Sequence, residues 1–502
     1  MRLFRYSFIS WALTAALPAA AQTFGPPEPP FVPGAPIAIV GGMLIDGTGA
    51  PARLDQAVLI EGDRIRWVGP SEDLRKPEGA HVIDASDMTI LPGLINSNQH
   101  IQLNPLYPAP EGGLSLKELE ERWESTFRRM PDRAFHYLMQ GVTSMRQTSG
   151  PAKRLLPVKQ AIDRGEIPGP RIYLGGALLM SPESWQNYLE RQKTPPESVS
   201  FLRDEFAFTV IDDVDRDTDQ FLGEEFPYWK LLMSGERYDG KNDFTDDELR
   251  FIIDKAHRHG KKIDVHCGGH NDGLRRMLAF DIDTLEHPFY GGELIEEEII
   301  RGYVDKGAIV ATLLTVMVSN AERAADPHRF SETLYAMTMD PKEYRILMRY
   351  RDKMLANRRN PDDPGIPVYE SASGGEEELG SNGPSYNTLQ KRRLTSRENM
   401  RRFIRAGARF SMGTDTPAFL NFIQEDPNAG EIRAMVELGM SPLQAIEAAT
   451  RIGAEALGLE KDLGTIEAGK LADVIVLAGN PLADIGAFER VYGVIKGGVR
   501  YK

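Results

Sequence analysis

The sequence predicts an α/β fold: a (β/α)8 barrel of the TIM type beside a small β-sandwich domain built from both chain ends. Three observations predict it. From about Ile90 to Leu457, eight short apolar runs alternate with longer amphipathic stretches, the pattern of a parallel sheet with helical crossovers that closes at eight strands. Both ends of the chain instead carry short apolar alternations broken by Gly and Asp, the texture of antiparallel strands. A length of 502 residues accommodates one large barrel and one smaller domain.

The first element is not part of the fold. Arg2 and Arg5 precede a mostly apolar run from Ile9 to Leu17, and Ala19-Ala20-Ala21 supplies small residues before Gln22. This reads as a cleaved secretory signal over residues 1–21, because the apolar run is too short to span a bilayer. Export to the periplasm or the medium is the expectation. Residues 22–36 are Pro-rich and read as an extended linker. IAIVGGMLIDGTG and AVLIEGDRIRWVG then form the N-terminal part of the sandwich, residues 37–91, while GTIEAGKLADVIVLAGNPL and RVYGVIKGGVRYK form its C-terminal part, residues 464–502.

Between them, residues 92–463 form the barrel. TILPGLIN is strand one, and SLKELEERWESTFRRMPDRAFHYLMQG reads as one long helix ending at Gly141. VTSMRQ, RIYLGGAL and WKLLMS are strands two to four. Thr245 and Glu248 make a capping box for DDELRFIIDKAHRH, which Gly260 closes. KKIDVH, IDTLEH, AIVATLL and ARFSMGTD complete the eight strands, and Ser441-Pro442 with Gln444 starts a last helix, AIEAATRIGAEAL. Residues 357–396 are charged and rich in Gly and Pro, and read as an inserted surface loop.

Composition narrows the partners. A formal net charge of −14 argues against a nucleic-acid or anionic-membrane surface, and after signal cleavage no membrane association is expected. A small-molecule substrate is the expected partner, with a homo-oligomer left open. Cys267 is the single cysteine, so no intrachain disulfide can form, and a strand-end cysteine among apolar residues reads as inert packing.

Side chains at the C-terminal ends of barrel strands converge on one mouth. His100 follows strand one, Lys230 lies within strand four, His266 ends strand five, His287 ends strand six and Asp415 ends strand eight. Each residue alone has an ordinary structural reading: a core imidazole, a snorkelling lysine, a helix N-cap. Together, His, Asp and Lys on separate strands suit a divalent metal, since imidazole nitrogen and carboxylate oxygen are its usual donors. Tyr107 and Arg146 fall in loops after strands one and two, where substrate contacts are made, and His270 could face the pocket near the start of helix five.

LPGLINSNQH, WKLLMSG, KKIDVHCGGH, DTLEHPF, FSMGTD, SPLQAIEAAT and GTIEAGKLADVIVLAGNPL resemble the successive signatures of the amidohydrolase superfamily, closest to its imidazolonepropionase- and prolidase-like branch. The resemblance runs from about Ile37 to the C-terminus, outside the insertion. It implies hydrolysis of amide-like bonds at one or two divalent ions, zinc first, with manganese, iron and cobalt as alternatives. It also implies a CO2-derived carbamate on Lys230 that bridges the ions, His266 and His287 as ligands of the second ion, and Asp415 as both ligand and proton shuttle. One departure bears on the first ion. The family usually has His-x-His after PGL with Asp two residues earlier, whereas here Asn96 and Asn98 replace that Asp and the first His, and only His100 is kept. Asn98 is a neutral and weaker donor than imidazole, so the first metal position is expected to bind less tightly. An Asn-x-His variant resembles the phenylurea and molinate hydrolases of the same superfamily. Deaminases of that superfamily usually carry a catalytic Glu three residues after the strand-five His, and Gly269 stands there.

The expected activity is therefore metal-dependent hydrolysis of a C–N bond in an amide, urea or carbamate-like small molecule, with Asp415 moving the proton. An exported dipeptidase is the alternative within enzymes. A barrel that binds a ligand without turning it over is the alternative outside them, raised by Asn96 and Asn98.

Overall fold

The computed structural model describes residues 34–102, 115–176, 178–191, 208–233, 244–289, 292–315, 345, 348, 386–416 and 426–502. The expected signal segment, most of the linker and Tyr107 lie outside the described residues.

The chain-end domain begins with β1 (Ile37–Leu44), β2 (Arg53–Glu61), β3 (Arg64–Pro70), β4 (His81–Asp84) and β5 (Thr89–Pro92). After β5 the barrel strands follow: β6 (Leu94–Gln99), β7 (Val142–Gln147), β8 (Arg171–Leu174), β9 (Leu178–Met180), β10 (Phe208–Val210), β11 (Tyr228–Met233), β12 (Lys262–Cys267), β13 (Thr284–Glu286), β14 (Ile309–Ala311) and β15 (Arg409–Ser411). The chain returns to the first domain through β16 (Val474–Leu477), β17 (Val491–Lys496) and β18 (Val499–Arg500).

The two chain ends meet where β5 pairs antiparallel with β16, Thr89 opposite Leu477 and Pro92 opposite Val474. The hydrogen-bonded path runs β18-β17-β16-β5-β1-β2-β3, with β4 on β1. The expectation of a purely antiparallel unit needs correction, since β1 pairs parallel with both β4 and β5. Ile37, Ile39, Val58, Ile60, Val474 and Val476 pack together as this sheet's core.

In the barrel, β10-β9-β11-β12-β13-β14-β15 form one parallel sheet and β6-β7-β8 a second. Past the end of β15 the chain is tied to β6: Ser97 N–H donates to Met412 O at 2.7 Å, and the N–H groups of Thr414 and Asp415 donate to Asn98 O at 2.9 and 2.8 Å. β6, β7 and β11 are buried along their whole length, as strands covered on one side by helices and filling a barrel on the other must be.

Two local expectations change. The helix expected to run unbroken to Gly141 is two helices, Leu116–Arg128 and Met130–Met139. Pro131 lies in the first turn of the second, where its missing N–H costs nothing, and the chain turns at Arg129. The expected inserted loop is helical from its residue Tyr386 onward, because Tyr386–Arg405 is a helix; its residues 357–385 lie outside the described residues. From Gln390 onward the sequence has no Gly or Pro until Gly407. Met400 and Phe403 are fully buried there, and the Asn399 amide bonds Ile295 N–H and Glu293 O. The capping box at Thr245/Glu248 forms as expected, and Ser441 with Gln444 makes another; a third expectation changes, because the last helix is two, Pro442–Ala448 and Arg451–Leu457.

Asp473, buried next to β16, joins the two domains. It forms an ion pair with Arg171 of β8 and accepts Gly497 N–H at 2.9 Å. Asp473→Ala is expected to destabilise the protein by about 2 kcal/mol, the range for hydrogen bonds to charged groups. A chemical-denaturation midpoint equal to that of the parent would contradict this.

Candidate active site

β6 carries Asn96 and Asn98 two residues apart, so both share a face, with His100 just beyond the strand end. Parallel pairing sets Lys230 of β11 opposite Asp264 of β12, and Asp264 opposite Thr284 of β13; His266 and Glu286 pair one step further on. Residues in register on parallel strands project from the same face, so this pairing builds successive layers of polar side chains.

At the centre is Arg146, with no exposed surface. Its Nε donates to Ser97 O at 2.5 Å, Nη1 to Thr284 Oγ1 at 3.2 Å and Nη2 to Glu286 Oε1 at 3.0 Å. Nη2 also lies 3.3 Å from Asp264 Oδ1, and the guanidinium stands 5.0 Å from the centre of the Tyr228 ring. Lys230 pairs with Glu286 Oε2 and lies 3.4 Å from Asp264 Oδ2. Two cations thus meet two carboxylates in a buried interior, where an unmatched charge would cost several kcal/mol. Burial, with Arg146 adding to it, pulls Lys230 down to about 8 against the opposing pull of Asp264 and Asp415.

Nearer the mouth, the strand ends are strained. His287, Leu313 and Asp415 have φ of 60°, 46° and 51°, a region that residues other than Gly adopt at a cost and that clusters at functional sites. The rings of His266 and His287 lie 4.2 Å apart. His100 Nε2 lies 2.9 Å from Asp415 Oδ1. Burial pushes the Asp415 carboxyl up, but the hydrogen bond from His100 and the positive charge of His287 and Lys230 outweigh it and hold it below its ordinary value.

Among the described residues, no three His, Cys, Asp or Glu side chains form a closed ligand set; His266 with His287 and His100 with Asp415 stand as two pairs. The chemistry of the donors fits a divalent ion on one side: two adjacent imidazoles, an ionised carboxylate whose charge is felt at His287, and a lysine of depressed pKa. The other side fits poorly. Asn98 donates Nδ2 to Glu286 Oε2 at 2.7 Å and accepts Thr148 Oγ1 at 3.0 Å, so both ends of its amide are engaged. His100 is engaged at both ring nitrogens, with Gln147 Nε2 2.8 Å from Nδ1. Asn96 binds Thr414 and Asn428 and so fastens β6 to the segment after β15 and to the helix Pro427–Glu437.

Other expectations change. Arg146 is not a loop residue open to substrate but an interior strand residue, held inside by Glu286 and Asp264. His270 caps the helix Asn271–Met277, half exposed, with Nδ1 3.5 Å from Glu293. Cys267 is fully buried. Sequence reasoning missed Asp264, Glu286, Gln147 and Thr148. The first two had a signal, a charged residue inside an apolar β-run and close to a strand-end histidine.

Residues 89–500 match the model of the amidohydrolase family, and residues 57–76 that of the bacterial imidazolonepropionase-like composite domain. Ochratoxinase of Aspergillus niger is 25% identical over 494 residues, covering 92% of this chain and 86% of its own. Among solved structures, molinate hydrolase superposes with a TM-score of 0.69 at 23% identity, covering 94% of this chain and 96% of its own. A Xaa-Pro dipeptidase with bound methionine reaches 0.69 at 20% identity, covering 93% and 100%. These structural likenesses speak to the fold.

The guanidinium gives the site its sharpest prediction. Arg146→Met leaves Glu286 and Asp264 buried with one cation between them and is expected to destabilise the protein by about 3–5 kcal/mol. Were Arg146 instead a substrate contact, unfolding would change little and KM alone would rise; denaturation curves beside steady-state kinetics separate the two.

Proposed function

Because the chain belongs to the amidohydrolase family, we propose that it is a divalent-metal hydrolase that cleaves a C–N bond of a small amide, urea or carbamate. The observation that carries this reading is the imidazole pair His266 and His287 with the ionised Asp415, at strand ends around one mouth where His287 and Asp415 are strained. His266, His287 and Asp415 would hold one ion, zinc first and manganese, iron or cobalt as alternatives. When bound, the ion supplies Lewis acidity, which brings the pKa of a water toward about 7 and polarises a carbonyl.

The chain's own residues do the rest. Asp415, ionised at neutral pH, accepts the proton of the attacking water and delivers it to the leaving nitrogen. Strain at Asp415 fixes where its carboxylate points, because its backbone N–H is bonded to Asn98 O. Lys230, drawn down to about 8, has a fraction of neutral amine near neutral pH. Its nitrogen could add to CO2 with loss of a proton, giving up the ion pair with Glu286; the carbamate oxygens would then serve as further donors. The acidic chain takes no nucleic-acid partner, and the N-terminal signal sends it out of the cytoplasm, cleaved after Ala21. The second reading is an exported dipeptidase, favoured by the fold shared with the Xaa-Pro dipeptidase.

The test is turnover by the mature protein, purified in bicarbonate with zinc or manganese, on anilides, arylureas, carbamates and dipeptides. Hydrolysis of one of the first three classes, abolished by chelation and restored by metal, is expected. Hydrolysis of dipeptides alone would move the assignment to the second reading, and no turnover in any class would contradict both. Asp415→Asn is expected to lose about 10²–10⁴-fold in kcat while keeping most of its metal; a near-parent rate on a proven substrate would remove Asp415 from its role.

A further inference from the structure

His100 is held between two groups whose hydrogen-bonding sense is fixed. On one side, Gln147 Oε1 accepts Ile101 N–H at 2.9 Å and its Nε2 donates to Ser149 O at 2.6 Å. A backbone N–H can only donate and a backbone carbonyl can only accept, so these two bonds set which end of the Gln147 amide is oxygen. The end that faces His100 Nδ1, at 2.8 Å, is therefore the NH2 group. Gln102 sets its own Nε2 3.4 Å from the same ring nitrogen while donating to Ser149 O. Nδ1 faces two donors and must carry the lone pair. On the other side, an imidazole with its lone pair on Nδ1 carries its proton on Nε2, and Nε2 lies 2.9 Å from a carboxylate oxygen, Asp415 Oδ1.

We propose that His100 is a positioning residue and not a metal ligand: Gln147 holds it in the tautomer protonated on Nε2, and that N–H is given to Asp415 Oδ1. A metal-ligating imidazole has the opposite arrangement, with its second ring N–H donated to a carboxylate or carbonyl and a bare nitrogen turned to the ion. Here the nitrogen nearest the mouth carries the proton, and the bare one is covered by the Gln147 amide. The same surroundings direct Asn98, whose amide donates to Glu286 and accepts from Thr148. Thr148 Oγ1 itself lies 3.5 Å from His100 Nε2. Strands β6 and β7 thus provide a hydrogen-bonded shelf for Asp415. Oδ1 is held by His100, which leaves Oδ2 to face the ion and the attacking water. This inference rests on the metal-hydrolase reading for its purpose, but the tautomer stands on hydrogen-bond geometry alone.

The experiment is long-range proton–nitrogen correlation NMR on the full mature chain labelled with 15N-histidine, without metal and with zinc, using His100→Gln to assign the signal. The expected result is Nε2 protonated and Nδ1 bare in both samples. Protonation on Nδ1 in the zinc-loaded sample would overturn the proposal. Gln147→Glu puts an acceptor against Nδ1 while Asp415 stays against Nε2, and is expected to protonate Nδ1 as well; an Nδ1 left bare in that variant would remove Gln147 as the lock. Zinc affinity gives an independent reading. His100→Gln is expected to bind zinc within about threefold of the parent, whereas a tenfold loss or one fewer equivalent would make His100 a ligand. A parent that binds no zinc would sink the metal-hydrolase reading, while the tautomer seen in its metal-free spectrum would still decide this proposal.

Discussion

The interaction on which the site depends is the buried guanidinium of Arg146 between Glu286 and Asp264. A planar cation with five fixed donors can bind a strand-one carbonyl, a strand-six hydroxyl and two carboxylates from neighbouring strands at once, which an ammonium could not do. Glu286 is thereby fixed, and with it the amide of Asn98 and the amine of Lys230. Four charges that would each be costly alone are balanced inside the barrel. Their balance sets which way the side chains at the mouth can point.

Above this layer the site divides into two halves of different chemistry. Toward β12 and β13, His266 and His287 meet in a strained segment beside an ionised Asp415, a donor set suited to a cation. Toward β6 and β7, Asn96, Asn98, Gln147 and Thr148 form hydrogen bonds that close on one another. Amides have replaced charge on that half, so it supports the carboxylate instead of offering lone pairs to an ion. The Asn-x-His of the sequence is therefore one part of a hydrogen-bonded cluster that also holds Gln147 and Thr148.

Much of the fold was legible in the sequence, because barrel strands announce themselves as short apolar runs at regular spacing and helix starts as capping boxes. The helix break at Arg129 was not, since Pro131 in a first turn leaves the amphipathic pattern intact. Nor was the helix over Tyr386–Arg405, whose charged surface resembles a loop. In the site, the strand-end residues His100, Lys230, His266, His287 and Asp415 could be named because each strand end has a sequence position. Arg146 was named with the wrong environment, because its partners Asp264 and Glu286 lie far along the chain and pairing across a barrel depends on register. The role of Gln147 depends on the sense of single hydrogen bonds, which no spacing pattern encodes.

The central claim is that one ion belongs to the β12 and β13 half while the β6 and β7 half stays hydrogen-bonded. Anomalous X-ray diffraction at the zinc edge from crystals grown in bicarbonate and zinc tests it most directly. The expected result is one peak within coordination distance of His266, His287 and Asp415, with His100 still bonded to Asp415 and Gln147. A peak coordinated by His100 Nε2 and Asn98, or none at the mouth, would contradict it.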